Sequence, residues 1–181
     1  DGNLVDGDGC SSSCLADCPS TPPAGCAEAR VSNLAMKDVS LSTRLLEWKW
    51  GRGDATSKAD LGTPRSKGTW VACLWSGGRL ATSARVPGGP SWNEKLHGWA
   101  YRDTRGTHDG ATKILLQEGD TGRSKAQFQL KGVRVPMPAL ASLAAPLVFQ
   151  LRGESTCRVS TFEGPFVKQS PERLRAKTIV R

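Results

Sequence analysis

Turn-forming residues place the strongest constraint on the fold of this sequence. The chain contains 20 glycines and 11 prolines among 181 residues, well above the usual combined frequency of about 12%. Clusters of them at residues 77–78, 87–90 and 119–122 separate short runs in which apolar and polar residues alternate. Such runs predict strands joined by tight turns. We therefore expect a mainly β protein, built as an antiparallel β-sandwich or jelly-roll-like domain.

The predicted strands differ in how many of their faces are apolar. In segment 44–50 every second residue is apolar, which predicts a strand with one buried face. Segment 69–75 is apolar almost throughout, which predicts a strand buried on both faces. The other predicted strands are residues 79–86, 97–101, 112–117, 125–131, 147–152, 156–162 and 178–180. A serine, proline and glutamate at 170–172 form a helix-start pattern and predict one short helix toward Lys177.

Charge divides the chain into two units. Residues 1–29 contain five acidic residues and no lysine or arginine, giving a net charge of −5. Residues 30–181 contain all 25 basic residues and 12 acidic ones, giving +13. Residues 19–25 form a proline-rich connector. We expect an acidic Cys-rich segment over 1–29 and a basic β-sandwich over 30–181, either docked on neighbouring copies or separately solvated.

The six cysteines fall into two sets, four in the N-terminal segment and two in the body: Cys10, Cys14, Cys18 and Cys26, and Cys73 and Cys157. The segment has few large apolar residues, so disulfides among its cysteines are expected to hold its shape, with three pairings open. Zinc bound by the four thiolates is the alternative. For the body pair we expect a disulfide that joins two distant strands, with two buried free thiols as the alternative.

Oxygen-bearing side chains cluster in the first residues, on a stretch in which Gly2, Gly7 and Gly9 allow tight turns. The side chains concerned are Asp1, Asn3, Asp6 and Asp8. With backbone carbonyls they have the chemistry of a Ca²⁺ site, although the bidentate glutamate that ends an EF-hand loop is missing. An acidic turn held by its own Asx hydrogen bonds is the alternative. Calcium is the only cofactor that this pattern predicts.

This N-terminal segment resembles the Cys-rich repeat of secreted and surface proteins of myxobacteria and related bacteria. The repeat has the form Cys-Asp-x-Gly-Asn…Gly-Asp-Gly-Cys-Ser-x-x-Cys, and the matching residues are Gly2, Asn3, Gly7, Asp8, Gly9, Cys10, Ser11 and Cys14. The leading cysteine is absent, which suggests a product cut from a longer precursor. The resemblance implies an extracellular or cell-surface location and no catalytic activity.

The body resembles a β-rich module of secreted proteins from the same bacterial groups. The matching pieces are residues 48–50, 60–64, 72–75, 99–103 and 106–113. The resemblance implies a fold and a location but no reaction.

Little in the sequence points to catalysis or to nucleic acid. His97 and His108 are the two histidines, and no nucleophile elbow, zinc-protease or phosphate-loop motif occurs. We therefore expect no enzymatic activity, with a glycosidase-type pair of carboxylates as the alternative. The basic residues are spread along the body, and no nucleic-acid-binding motif accompanies them. An anionic polysaccharide or cell-surface polymer would need the same charge.

The six tryptophans decide between two functional hypotheses. Most are expected to anchor the core, but Trp92 lies in a predicted loop and is expected to be exposed, with Trp48 and Trp50 as further candidates for a sugar-stacking platform. The first hypothesis is a secreted structural or surface-assembly subunit, with the N-terminal segment making head-to-tail contacts in a filament or array. The alternative is a module that binds carbohydrate or a surface polymer. Exposed tryptophans favour the alternative and buried tryptophans favour assembly. No apolar run reaches 18 residues, so no transmembrane segment is expected.

Overall fold

Twelve β-strands build the part of the chain that the computed structural model describes, which is residues 18–66, 68–154 and 156–179. The strands are β1 Ala27–Lys37, β2 Leu45–Gly53, β3 Thr69–Ser76, β4 Arg79–Pro87, β5 Trp92–Lys95, β6 Gly98–Arg102, β7 Ala111–Gln117, β8 Ser124–Lys131, β9 Leu147–Arg152, β10 Cys157–Phe162, β11 Lys168–Ser170 and β12 Arg173–Ile179. Within these residues the only helical structure is three short 3₁₀ turns. The prediction of a mainly β fold is confirmed.

The strands form one curled sheet in the order β4-β3-β9-β10-β1-β2-β8-β7-β6-β5, with β12 paired to β1 and β11 to β12. Neighbours are antiparallel except for a short parallel pairing of β1 with β10. The curl divides the sheet into two packed layers. We call β4, β3, β9 and β10 the small layer, and the remaining strands the large layer.

Aromatic side chains hold the two layers together. Trp48 of the large layer stacks on Phe149 of the small layer with ring centroids 4.8 Å apart, and Phe128 lies 6.0 Å from the same ring. The Nε1–H of Trp48 donates to Ser160 Oγ at 2.9 Å, and Ser160 and Ser32 share a hydrogen bond of 2.7 Å. These polar atoms are buried but paired, which keeps the cost of their burial low.

Two predicted elements differ from the structure. The expected helix after Ser170 is a turn followed by β12, because Ser170 Oγ accepts the Arg173 N–H at 3.1 Å and closes a hairpin. In β12, Leu174 and Ala176 are buried while Arg173, Arg175 and Lys177 are exposed. The period of two therefore prevails over the helix-start pattern. The boundary expected at residue 29 falls inside β1, which begins at Ala27.

The disulfides connect the N-terminal region to the body, which corrects the expected pairing. Cys18 bonds to Cys73 and Cys26 bonds to Cys157. The predicted Cys73–Cys157 bridge is therefore wrong, as is the free-thiol alternative for these two residues. All three pairings expected among the four N-terminal cysteines are wrong as well, and so is the four-cysteine zinc site. The pairing follows from the path of residues 18–26, which cross the outer face of the small layer and reach β3 at one end and β10 at the other.

We call residues 18–26 the strap. Trp75 donates its indole N–H to the Pro19 carbonyl at 3.0 Å, and the Gln150 amide donates to the Pro23 carbonyl at 2.8 Å. Cys18 packs against Val71, Cys73 and Trp75 in a second, smaller apolar cluster. The predicted connector is thus packed against the sandwich. Cys10, Cys14 and the proposed calcium ligands Asp1, Asn3, Asp6 and Asp8 lie outside the described residues.

Candidate functional site

Eight cationic side chains lie on the outer face of the large layer, and we call this surface the basic face. They belong to five adjacent strands, and they are Lys37, Lys49, Lys113, Lys125, Lys131, Arg173, Arg175 and Lys177. Their neighbours along each strand are buried in the core, so the alternation of the strands turns the cations outward. The described residues of these strands include two carboxylates. Glu47 lies on this face, whereas Glu28 lies at the start of β1, where that strand pairs with β10.

The basic face corrects the interpretation that the cations are merely spread along the chain. Register places Lys177 beside Asn33, Asn33 beside Lys49, and Lys49 beside Gln127. Residues far apart in sequence therefore become neighbours on one surface. The signal present in the sequence is cations at every second position of β12, but only strand order shows that this strand adjoins β1 and β2.

Glu47 is already engaged by neighbours on the basic face. Its carboxylate accepts the Gln127 amide at 2.8 Å and lies 3.2 Å from Lys49 Nζ. The other seven cations have no carboxylate within 4.0 Å among the described residues. The face therefore presents a large uncompensated positive charge to an anionic partner.

A groove of about 540 Å³ lies within the basic face, between β1 and β7. Partly buried Val31 and Leu115 supply aliphatic surface in it, next to Gly51. Lys49, Arg52 and Lys125 line the same groove. It thus combines aliphatic surface with three cations, and we call it the cationic groove.

A second concavity of about 660 Å³ is polar and contains the sequence candidate His97. His97 Nδ1 lies 3.2 Å from Glu118 Oε1, and both Asp60 and Asp120 line the same cleft. Hydrogen bonds from the Ser57 hydroxyl and backbone N–H lower the pKa of Asp60. No group of three or more histidine, cysteine, aspartate or glutamate side chains could hold a metal ion in the described part of the chain.

His108 lies in the loop between β6 and β7, beside a residue that supports the fold. The neighbouring Asp109 accepts the backbone N–H of Arg85 in β4 at 2.8 Å. This contact ties the loop of the large layer to the small layer.

All six tryptophans are buried, which overturns the expected stacking platform. Trp92, Trp48 and Trp50 are at most 2% exposed. Trp92 begins β5 and points into the core, where it lies 5.7 Å from Trp70 and 5.4 Å from Tyr101. Its indole N–H is satisfied by the Pro87 carbonyl at 3.1 Å, which removes the need for contact with water.

Arg158 is a buried cation that belongs to the core. It is 1% exposed, lies 5.6 Å from the Trp50 ring centroid, and donates to Thr156 Oγ1. Burial lowers the pKa of Arg158 to about 10. Because it is shielded from solvent, it does not add to the basic face.

The edges of the sheet offer little to a partner strand. At the β4 edge, Asp109 occupies the Arg85 N–H and the Thr82 hydroxyl donates to the Pro136 carbonyl. At the other end, β5 has four residues, of which the last three are exposed and polar or charged. Short, charged or covered edges disfavour strand addition, so the broad outer faces are the surfaces left for association.

Among the described residues, no helix is long and apolar enough to cross a membrane. No protein-family model, no curated protein and no solved structure matches the chain.

Proposed function

We propose that this protein is a secreted structural subunit of an extracellular assembly, in which the basic face of one copy binds the acidic N-terminal residues of the next. The observation that carries the proposal is the basic face, which lies on the opposite side of the core from the strap. Residues 1–17 contain four aspartates and no lysine or arginine, so they match the face in charge.

The position of the strap supports a contact between copies. Cys18 is fixed on the outer face of the small layer, and residues 1–17 lead into it. Such a length spans up to about 60 Å when extended. A copy that stacks its small layer on a neighbour's large layer brings this anchor directly to the neighbour's basic face.

The disulfides favour an extracellular location. Bonds such as Cys18–Cys73 and Cys26–Cys157 persist in oxidising surroundings outside the cell and are rare in the cytosol. They also hold the start of the acidic segment in place, which lowers the entropy lost when that segment binds.

An anionic polysaccharide or surface polymer is the second candidate partner. The observation in its favour is that eight cations on the face exceed the four aspartates of residues 1–17. With all described tryptophans buried, such a polymer would be recognised by its charge and not by stacking.

The test is a measurement of self-association by light scattering and sedimentation for the intact chain and for a chain that lacks residues 1–17. This deletion keeps both described disulfides, whereas a deletion to residue 29 would remove Cys18 and Cys26. We expect assembly only for the intact chain, and weaker assembly when salt rises from about 0.01 M to about 1 M, since the Debye length falls from about 30 Å to about 3 Å. Calcium bound at Asp1, Asn3, Asp6 and Asp8 would neutralise the segment, so the comparison is run with EDTA and with CaCl₂, and added calcium should weaken assembly.

A charge-reversed variant locates the contact. Lys113→Glu with Arg175→Glu alters the basic face away from the cationic groove, and should reduce assembly at low salt. Arg65→Glu with Lys95→Glu makes the same change in net charge elsewhere and should leave assembly unchanged. Equal assembly by the intact and truncated chains contradicts the proposal. A monomeric intact chain that binds dextran sulfate or polygalacturonate replaces it with the polymer candidate, and tighter binding to duplex DNA contradicts both.

A further inference from the structure

We propose that the cationic groove binds Leu4 and Val5 of a second copy, with Asp6 and Asp8 of that copy against the groove's cations. This inference rests on the proposed self-association and names the residues that form its contact. It predicts an apolar component that survives when salt screens the charges.

The first nine residues have a composition that suits this groove. Leu4 and Val5 are the large apolar side chains among them, and aspartates lie on both sides, at positions 1, 6 and 8. A short apolar pair between carboxylates requires an aliphatic surface with cations at its rim. Such a segment pays an ordering cost on binding, which the burial of its apolar pair offsets.

The groove provides that combination at one place on the basic face. Val31 and Leu115 are only partly buried although they are large and apolar. They line opposite sides of the groove, on β1 and β7, with Gly51 of β2 and Gln127 of β8 between them. Gly51 leaves room because it has no side chain, so an apolar group can approach the strand backbone. Lys49, Arg52 and Lys125 lie within reach of carboxylates that flank such a group.

The aliphatic character of the groove favours a peptide over a polysaccharide. Sugars commonly pack on exposed aromatic rings, whereas the one aromatic residue that lines this groove, Trp50, is only 2% exposed. An anionic polysaccharide would engage the cations and leave Val31 and Leu115 uncovered. A segment that has both carboxylates and aliphatic side chains covers the whole groove.

The arrangement predicts an open chain of copies. The donor segment is anchored on the small layer and the acceptor groove lies on the large layer, so each copy uses two different surfaces. Contacts of this heterologous kind produce a filament unless their rotation closes a ring.

The test uses one variant that lacks the donor and one that lacks the acceptor. Leu4→Ser with Val5→Ser removes the apolar pair and keeps every charge. Val31→Thr with Leu115→Thr removes the aliphatic surface and keeps residues that suit β-strands. Each variant alone should assemble with a dissociation constant weakened by at least about tenfold. An equimolar mixture should form dimers that do not grow, because one donor and one acceptor remain intact.

The matched control is Val39→Thr with Leu41→Thr, which changes the same residue types at exposed positions between β1 and β2, away from the groove. It should assemble as the unaltered chain does. Fluorescence of the buried tryptophans monitors folding in every variant.

Three results would overturn the inference, and they differ in how much of the proposed function they leave standing. Normal assembly by the Val31 and Leu115 variant, together with loss of assembly in the Lys113 and Arg175 variant, leaves the basic face as a contact but removes the groove from it. A mixture that regains full-length assemblies contradicts the head-to-tail pairing. A monomeric intact chain at low salt contradicts self-association itself.

Discussion

The outer faces of the two layers differ in what covers them. On the small layer, β3 is buried at six consecutive positions because the strap lies over its outer side. On the large layer, β8 alternates between buried and open positions and presents Lys125 and Lys131 to solvent. The chain thus protects one face of its core with its own covalently fixed segment and leaves the other charged.

This difference identifies which surface is available to a partner. The strapped face is closed by two disulfides and by hydrogen bonds from Trp75 and Gln150. Displacing the strap would require breaking those bonds. The basic face has no such cover among the described residues. Repulsion among its cations favours the binding of an anionic partner.

Removing the disulfide that joins the strap to β3 should produce the largest change in stability. Cys18→Ala with Cys73→Ala opens a link between residues 55 apart in sequence, which the chain-entropy account values at about 4 kcal/mol. Urea unfolding of the variant beside the unaltered chain measures the loss. A loss below about 1 kcal/mol would mean that the strap adds little to the stability of the small layer.

A matched pair of valines sharpens the comparison between the faces. Val71 is 1% exposed beneath the strap, so Val71→Ala should cost about 2 kcal/mol through lost burial and a residual cavity. Val31 lies in the open cationic groove and is only partly buried, so Val31→Ala should cost less than about 1 kcal/mol. Both are measured by urea unfolding at a concentration at which the chain is monomeric.

Equal losses of unfolding free energy at the two valines would contradict the difference between the two outer faces. They would show that the large layer is also covered in the monomer, as it would be if residues 1–17 lay on the basic face of their own chain. Repeating the Val31 measurement in the chain that lacks residues 1–17 distinguishes this case.

The smallest expected effect concerns repulsion within the basic face. Lys177→Gln should raise the free energy of unfolding by about 0.3 kcal/mol at low salt, because it removes one of several neighbouring like charges. The gain should disappear near 1 M salt, where the charges are screened. Arg79→Gln, outside the face, should show neither the gain nor its salt dependence. The same gain at both positions would assign the effect to net charge and not to the face.

Most strands could be predicted from alternation, and the exceptions have physical reasons. β1 was not predicted because its buried positions include the polar residue Ser32. Ser32 is stable in the core because it shares a hydrogen bond with Ser160 of another strand. β5 was not predicted because its first residue follows a cluster of glycine and proline, which is typical of a loop. The residue that stabilises Ser32 of β1 is distant in sequence, whereas β5 pairs with the next strand, β6.

The candidate site was less predictable than the fold. The acidic segment and the excess of cations in the body can be read from composition, but the cationic groove depends on Val31 and Leu115 lining one concavity from strands on either side of β2 and β8. The exposure expected for Trp92 was wrong because a carbonyl in the preceding strand satisfies its indole N–H.

The sequence by itself determined that this chain alternates apolar and polar residues between frequent turns, and therefore that it builds sheets with one face toward a core. It also determined that cations in strands such as β8 point away from that core, since a period of two is a local property. Only the tertiary structure decided that Cys18 meets Cys73, that Cys26 meets Cys157, and that cations of five strands share one surface. Those outcomes depend on strand order and register, which arise from contacts between residues far apart in the chain.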